Sequence, residues 1–168
     1  MLYYGTRNHS VRRMAIGSWD VLSPFEPPHL DSVTGLAVVG GRLVSGSKDK
    51  HLRLWALDHA VNNSRHTFHA FNDYVTTVQG NRRSKIGVPN APLFYAGSKD
   101  GQLKACYVKN DRIEVLGNFL AHTQSVNAVC SLEDNPLAVI TASQDKMIKI
   151  WHPSKETLEN VARERYFE

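Results

Sequence analysis

Apolar and polar residues alternate in short runs along most of this chain, and the runs come in pairs. In residues 43–57, LVSGSKDKHLRLWAL, two alternating stretches flank the polar tripeptide Lys48-Asp49-Lys50. A period of two puts successive side chains on opposite faces of a pleated strand, so each stretch predicts a half-buried β-strand. The tripeptide suits a reversal, because Asp and Gly tolerate the backbone angles of a tight turn. The same pattern returns as YYGTRNHSVRRMAI, FYAGSKDGQLKACYV and VITASQDKMIKIWHP, with turn residues Asn8, Asp49, Asp100 and Asp145 spaced 41, 51 and 45 residues apart. Self-similarity at such a period marks a repeat architecture. Helical periodicity is predicted only after Pro153, where residues 158, 161, 162 and 166 are apolar and Ser154 suits a cap. A fraying outer strand is the alternative there.

The repeat divides the chain into units. Residues 1–24 are the remnant of a first unit that starts inside its hairpin, with an outer strand expected at 17–24. Its Trp19-Asp20 pair is a decoy: six residues beyond the turn residue stands Met14, where the better copies have Trp55 and Trp151. Residues 25–69 form the second unit, with His29 in a loop, the apolar strand 33–39, a Gly40-Gly41 turn and an outer strand at 64–69. Residues 70–120 form the third, with a strand at 75–79 and an inserted loop at 80–92, GNRRSKIGVPNAP, whose glycines, prolines and basic residues predict exposure. Residues 121–153 form the fourth, and 154–168 the terminal helix or outer strand.

Composition narrows the function classes. With 42% hydrophobic and 21% charged residues the chain has the balance of a globular protein. No run has the length of a membrane span or the layout of a signal peptide, so no membrane association and a cytoplasmic location are expected. Cys106 and Cys130 lack paired or metal-like spacing and read as small buried hydrophobes in a reducing compartment. His66 and His69 lie three apart on a predicted strand, hence on opposite faces, so no metal site is expected there. Glycine-rich phosphate loops are absent, and no cofactor is expected. The 20 basic and 16 acidic residues give +4, which favours acidic partners without reaching a nucleic-acid-binding signature.

Two units share four residue types at nearly equal offsets: His29, Ser45, Asp49 and Trp55, and His122, Thr141, Asp145 and Trp151. A hydrolase triad would need its nucleophile on an exposed, strained turn beside an oxyanion site. Ser45 and Thr141 fall inside alternating strands instead. The set is read as a buried relay of indole, hydroxyl, imidazole and carboxylate, and no catalytic residue is expected. A buried polar group left unpaired costs about 1–3 kcal/mol, so such a relay must be complete or absent.

These residues resemble the structural tetrad of WD-repeat β-propellers, which implies an all-β, incomplete propeller of about three to four blades of four-stranded antiparallel sheet. The third unit departs from the pattern with Phe71, Ala96 and Cys106, keeping only Asp100; the first has Tyr4, Asn8 and Met14. Both blades are expected to be looser. The stretch SPFEPPHLDSVTGLAVVGGRLVSGSKDKHLRLW is similar, over one blade, to the WD-repeat tail of plus-end-directed kinesins with a coiled-coil stalk. The resemblance implies a non-catalytic protein-interaction scaffold, one arc of a larger ring, in the cargo- or microtubule-binding tail of a cytoskeleton-associated motor. A substrate-recognition adaptor of a ubiquitin ligase is the alternative. A weak nucleic-acid-binding module using the basic loop residues Arg82, Arg83 and Lys85, without sequence specificity, is the alternative of another class.

In propellers of this kind one face is built from the turns and the loops leading into the inner strands. That places Arg7, Asp31, Lys48, Lys50, Phe71, Tyr74, Lys99, Gln124, Gln144 and Lys146 on a candidate partner-binding face with a recurring basic rim. One reading is that the rim docks an acidic tubulin tail or a phosphorylated motif with Phe71 and Tyr74 as aromatic anchors. The other is that these lysines are merely solvated. An open arc also exposes sheet edges, so the remaining blades of a full propeller are expected partners and the isolated chain is expected to self-associate.

Overall fold

The computed structural model describes residues 1–57, 63–81, 92–131 and 138–152. The expected terminal helix, the basic residues Arg82, Arg83 and Lys85, and most of the inserted loop lie outside them. Thirteen strands are found among the described residues, in four antiparallel sheets. The first sheet pairs β1 (Leu2–Gly5) with β2 (Val11–Met14). The second runs β3 (Val33–Val39), β4 (Arg42–Ser47), β5 (His51–Ala56) and β6 (Ser64–His69) in chain order. The third repeats that order with β7 (Val75–Gly80), β8 (Leu93–Ser98), β9 (Gln102–Lys109) and β10 (Arg112–Leu120). The fourth holds β11 (Val126–Ser131), β12 (Val139–Ser143) and β13 (Ile148–Trp151). The sheets follow one another as an arc that does not close: β1 and β3, β3 and β7, and β7 and β11 are neighbours in turn.

The β4–β5 turn shows why the polar tripeptide recurs. Asp49 accepts the His51 N–H at 3.0 Å and its own N–H donates to Ser47 Oγ at 3.1 Å. Asp145 does the same with Met147 and Ser143, at 3.0 and 3.1 Å. The next residue takes a left-handed backbone in all four turns: His9, Lys50, Gly101 and Lys146. At Gly101 a Cβ would stand 2.1 Å from the His122 carbonyl, so only glycine fits. The carbonyl of the left-handed residue also fastens the loop leading to the next inner strand. His29 N–H donates to His9 O, Ala70 N–H to Lys50 O and His122 N–H to Gly101 O, at 3.0, 3.0 and 3.1 Å.

Each pair of adjacent sheets encloses one apolar cluster. Val11, Phe25, Leu43 and Trp55 lie between the first and second sheets. Val44, Leu52 and Leu54 meet Phe71, Val75, Val78 and Phe94 between the second and third. Tyr95 and Leu103 meet Val126, Val129 and Val139 between the third and fourth. Gly46 and Gly97 allow this approach: a Cβ there would lie 2.6 Å from Val75 and 2.8 Å from Val126. Thr34 and Thr76 point their hydroxyls at the carbonyls of Val75 and Val126, tying successive inner strands together.

Three local expectations need correction. Residues 17–24 form no strand; Gly17 and Trp19 take positive φ, the chain turns, and Val21 makes one isolated bridge to Met14. Gly80 is buried at the end of β7, so the insertion starts after it. Cys106 is buried but Cys130 is exposed, because it lies on the face of the fourth sheet that, among the described residues, no other sheet covers.

Candidate functional site

Ser45 on β4 and Trp55 on β5 project from one face of the second sheet toward His29, which the loop before β3 delivers. His29 Nδ1 lies 2.8 Å from Asp49 Oδ2 and its Nε2 lies 2.7 Å from Ser45 Oγ. Trp55 Nε1–H donates to the same Oγ at 2.8 Å. The indole can only donate and the carboxylate only accept, so the order is fixed: indole to hydroxyl, hydroxyl to Nε2, Nδ1–H to carboxylate. Burial would raise the Asp49 carboxyl, but the His29 hydrogen bond and the backbone N–H groups of Leu30 and His51 hold it well below its ordinary 3.8.

The fourth sheet repeats these contacts. His122 meets Asp145 at 2.8 Å and Thr141 at 2.7 Å, and Trp151 Nε1–H donates to Thr141 Oγ1 at 2.8 Å. Asp145 is lowered to about 2: desolvation opposes the shift, while the Met147 N–H and His122 hydrogen bonds favour it. In both sets the hydroxyl is fully buried and engaged on both sides, which leaves no activated nucleophile. The third sheet has apolar groups at the same positions. Phe71, Ala96 and Cys106 are buried together, and burial pushes the Cys106 thiol up to about 12. In the first sheet Tyr4 and Met14 are half-buried and Asn8 is exposed.

The rim is assembled by backbone bonds between each turn and the loop beside it. Lys48 N–H donates to Ser32 O, Lys99 N–H to Tyr74 O and Gln144 N–H to Ser125 O, at 3.0, 2.9 and 3.0 Å. Carbonyls of Arg7, Asp31 and Gln124 accept the hydroxyls of Ser32, Ser47 and Ser143. Arg7, Asp31, Lys48, Tyr74, Lys99, Gln124 and Gln144 therefore follow one another along the same edge of the arc, with Lys50 and Lys146 in the turns themselves. Tyr74 stands between two cations: Lys99 Nζ is 4.8 Å and Lys48 Nζ 5.9 Å from its ring centroid. Phe71 must be removed from this face. Only 3% of it is exposed, because it fills the histidine position inside the core between the second and third sheets.

One recurring element escaped the sequence reading. The fourth residue after each turn residue is Arg12, Arg53, Lys104 or Lys149. Three of these cations lie over the aromatic ring of their own blade: Arg53 over Trp55 at 6.0 Å, Lys104 over Phe71 at 5.3 Å and Lys149 over Trp151 at 5.6 Å. Arg53 and Lys149 also donate to the carbonyls of Pro27 and Ala121. A basic column in all four copies was the signal for it. Among the described residues no cluster of His, Cys, Asp and Glu has the makings of a metal site, and no helix is long and apolar enough to cross a membrane.

Comparison with known proteins agrees with this construction. The family described as WD domain, G-beta repeat matches residues 22–56 and 113–152. Kinesin-like protein KIF21B of Homo sapiens is 28% identical over 153 residues, covering 88% of this chain and 9% of that protein. Kinesin-like protein KIF21A of Homo sapiens is 27% identical over 156 residues, covering 90% and 8%. The chain thus spans about a tenth of the length of these relatives. Nuclear distribution protein PAC1 of Candida albicans is 36% identical over 64 residues, covering 38% and 13%. Among solved structures, the computationally designed Ika4 protein superposes with a TM-score of 0.71 at 18% identity, covering 90% of this chain and 84% of that one, which speaks for the fold alone. With WD40 repeats matched over residues 22–56 and 113–152 and its sheets laid in one open arc, the chain has the fold of an incomplete β-propeller.

Proposed function

We propose that this WD-repeat scaffold binds an acidic or phosphorylated protein segment across the rim formed by its second and third blades. WD40 repeats generally serve as protein-interaction platforms without chemistry of their own, and fold alone does not name the partner. The observation that carries the reading is the Lys48–Tyr74–Lys99 cluster, where two cations from adjacent blades flank one aromatic ring. An extended acidic peptide would place carboxylates or phosphates on the lysines and an apolar side chain on the ring. Similarity to kinesin-like proteins supports a tubulin tail as that segment and a cytoskeletal setting for the whole protein. The ligase-adaptor reading would use the same rim for a phosphopeptide, so one assay addresses both.

The test is a fluorescence-anisotropy titration with an acidic tubulin-tail peptide and with a phosphopeptide of equal charge, at low and at physiological salt. Reversing Lys48, Lys50 and Lys99 to Glu should weaken binding by about tenfold or more and remove its salt dependence. Undiminished binding by the triple variant refutes the reading.

A further inference from the structure

The second and third sheets also meet at a cleft on the side away from the lysine rim. β4 runs from Arg42 to Ser47, so the Gly40-Gly41 turn lies at the opposite end of the sheet from Lys48. β9 runs in the same way from the Gly101 turn to the Asn110-Asp111 turn. Both far turns are pairs of consecutive left-handed residues, with φ of 54° and 72° at Gly40 and Gly41 and 50° and 58° at Asn110 and Asp111. Such a pair reverses a hairpin in two residues. Between them lies a cavity of about 420 Å³, open to solvent and lined by Gly40, Arg42, Pro92, Val108, Asn110 and Asp111. Its size falls in the range of ligand sites, roughly 300–1,000 Å³. One wall is apolar: Val108 N–H holds Pro92 O at 3.3 Å, and a Cβ at Gly40 would stand 2.1 Å from the Pro92 ring. The other wall is charged. Arg42 Nε–H donates to Asp111 Oδ1 at 2.7 Å across the two sheets, and the two side chains are 36% and 42% exposed. Among the described residues Nε is the one bonded nitrogen of Arg42, so both Nη groups keep their donors for a ligand. Arg42 first, and Arg65 of β6 after it, hold the Asp111 carboxyl below its ordinary 3.8, so two guanidinium groups act on one carboxylate.

We infer that this cleft binds an extended peptide segment through a side-chain carboxylate, with Arg42 Nη groups on the carboxylate and Pro92 and Val108 against an apolar neighbour. The planar fork of a guanidinium matches the two oxygens of a carboxylate, which makes the pair directional as well as charged. The Asn110 amide both donates and accepts, as the backbone of an extended peptide requires. A free inorganic anion would use Arg42 alone, leave the apolar wall bare and still meet the Asp111 charge. A peptide offsets that repulsion with apolar contact and amide bonds. The site is separate from the Lys48–Tyr74–Lys99 rim and does not depend on it.

The test is a nuclear magnetic resonance titration of the full 168-residue chain with the blocked dipeptide acetyl-valyl-glutamate amide, whose one charge is the side-chain carboxylate. Saturable amide shifts are expected at Gly40, Gly41, Val108, Asn110 and Asp111. The glutamine counterpart of the dipeptide should bind several-fold more weakly, and Arg42→Gln should erase that difference. Asp111→Asn should bind the glutamate dipeptide several-fold more tightly. Asparagine still accepts the Nε–H bond and tolerates the left-handed backbone, and the opposing charge is gone. Tighter binding is not an outcome that a misfolded variant produces. Four results would each overturn the inference: no saturable shifts, shifts confined to Lys48, Tyr74 and Lys99, equal affinity for the glutamine dipeptide, or equal affinity for inorganic phosphate. The last would make the cleft a plain anion site.

Discussion

Replacing Trp55 by alanine should be among the most damaging single changes in the chain. Its side chain is 0% exposed, its ring lies 5.5 Å from Phe25 and 6.2 Å from His29, and Arg53 covers its outer side. Removing a buried Trp typically costs about 3–5 kcal/mol in lost transfer energy and cavity formation. For a chain of this size each kcal/mol lowers the melting temperature by roughly 2–4 °C, so the midpoint should fall by about 6–20 °C. Trp55→Phe separates the two contributions: it keeps most of the packing and loses the bond to Ser45 Oγ, which is worth about 1 kcal/mol. Trp151 supplies the internal control. It makes the same hydrogen bond at 2.8 Å but is only half-buried, so Trp151→Ala should cost about 1–2 kcal/mol on the area it hides. Differential scanning calorimetry on the three variants decides the matter. An unchanged midpoint for Trp55→Ala, or a larger loss for Trp151→Ala, would refute the account of the tetrad as a core element.

The remaining expectations concern acidity and close packing. Asp49 is held well below 3.8, so its contribution is present above that pH and is lost as pH falls through the lower folded value; Asp49→Asn should flatten the acid limb of the stability–pH curve measured by urea titration. His66 accepts the Ile113 N–H through Nδ1 at 3.1 Å and is shifted below 6.5, by burial first and by Arg112 second. Its contribution is therefore full above pH 6.5 and is lost as pH falls through the folded value, and His66→Gln should remove that limb of the same curve. Gly97→Val should destabilise by about 1–3 kcal/mol, since even a Cβ would stand 2.8 Å from Val126, and a neutral thermal melt would contradict the close approach of the sheets. Cys106, whose thiol burial raises to about 12, should resist thiol reagents in the native state and react only as the chain unfolds.

The repeat and the all-β arc were legible because strand pairing writes itself into the chain with a period of two and the turns with a period near the blade length. Residues 43–57 carry both signals, and β4 and β5 follow them closely. Legibility failed where a neighbour outside the local pattern decides the outcome. The outer strand expected at 17–24 lost to the left-handed backbone at Gly17 and Trp19. Phe71 looked like a surface aromatic because loops are usually exposed, but its column is that of His29, and column membership fixes burial more firmly than loop membership. Cys130 sits in an apolar run, yet its exposure depends on whether another sheet lies across β11, which no local pattern can encode. The basic column at Arg12, Arg53, Lys104 and Lys149 was in plain view, but single lysines in amphipathic strands look like solvated residues until their rings are located beneath them.

The third blade shows what the tetrad is for by doing without it. A looser sheet was expected there, yet Phe94, Ala96, Leu103 and Cys106 are all fully buried and the sheet is flanked on both sides. Losing one member of a buried relay strands its partners at about 1–3 kcal/mol, whereas exchanging the whole set for apolar groups strands nothing. The third blade has made the full exchange, with Phe71 for the imidazole, Ala96 for the hydroxyl and Cys106 for the indole; the remaining Asp100 keeps the turn bond from the Gln102 N–H at 3.1 Å and its other oxygen accepts the Gln102 side-chain amide at 3.3 Å. Partial restoration should then be worse than none. Ala96→Ser places a hydroxyl where neither Phe71 nor Cys106 offers a strong partner, and it should destabilise the chain by about 1–3 kcal/mol despite returning the residue type of the second blade. Ser45→Ala should cost a similar amount for the mirrored reason, leaving His29 Nε2 and the Trp55 indole unpaired. Chemical denaturation of both variants is decisive: a neutral or stabilising Ala96→Ser would mean that the third blade tolerates a half-built relay, and the rule of completeness would fail.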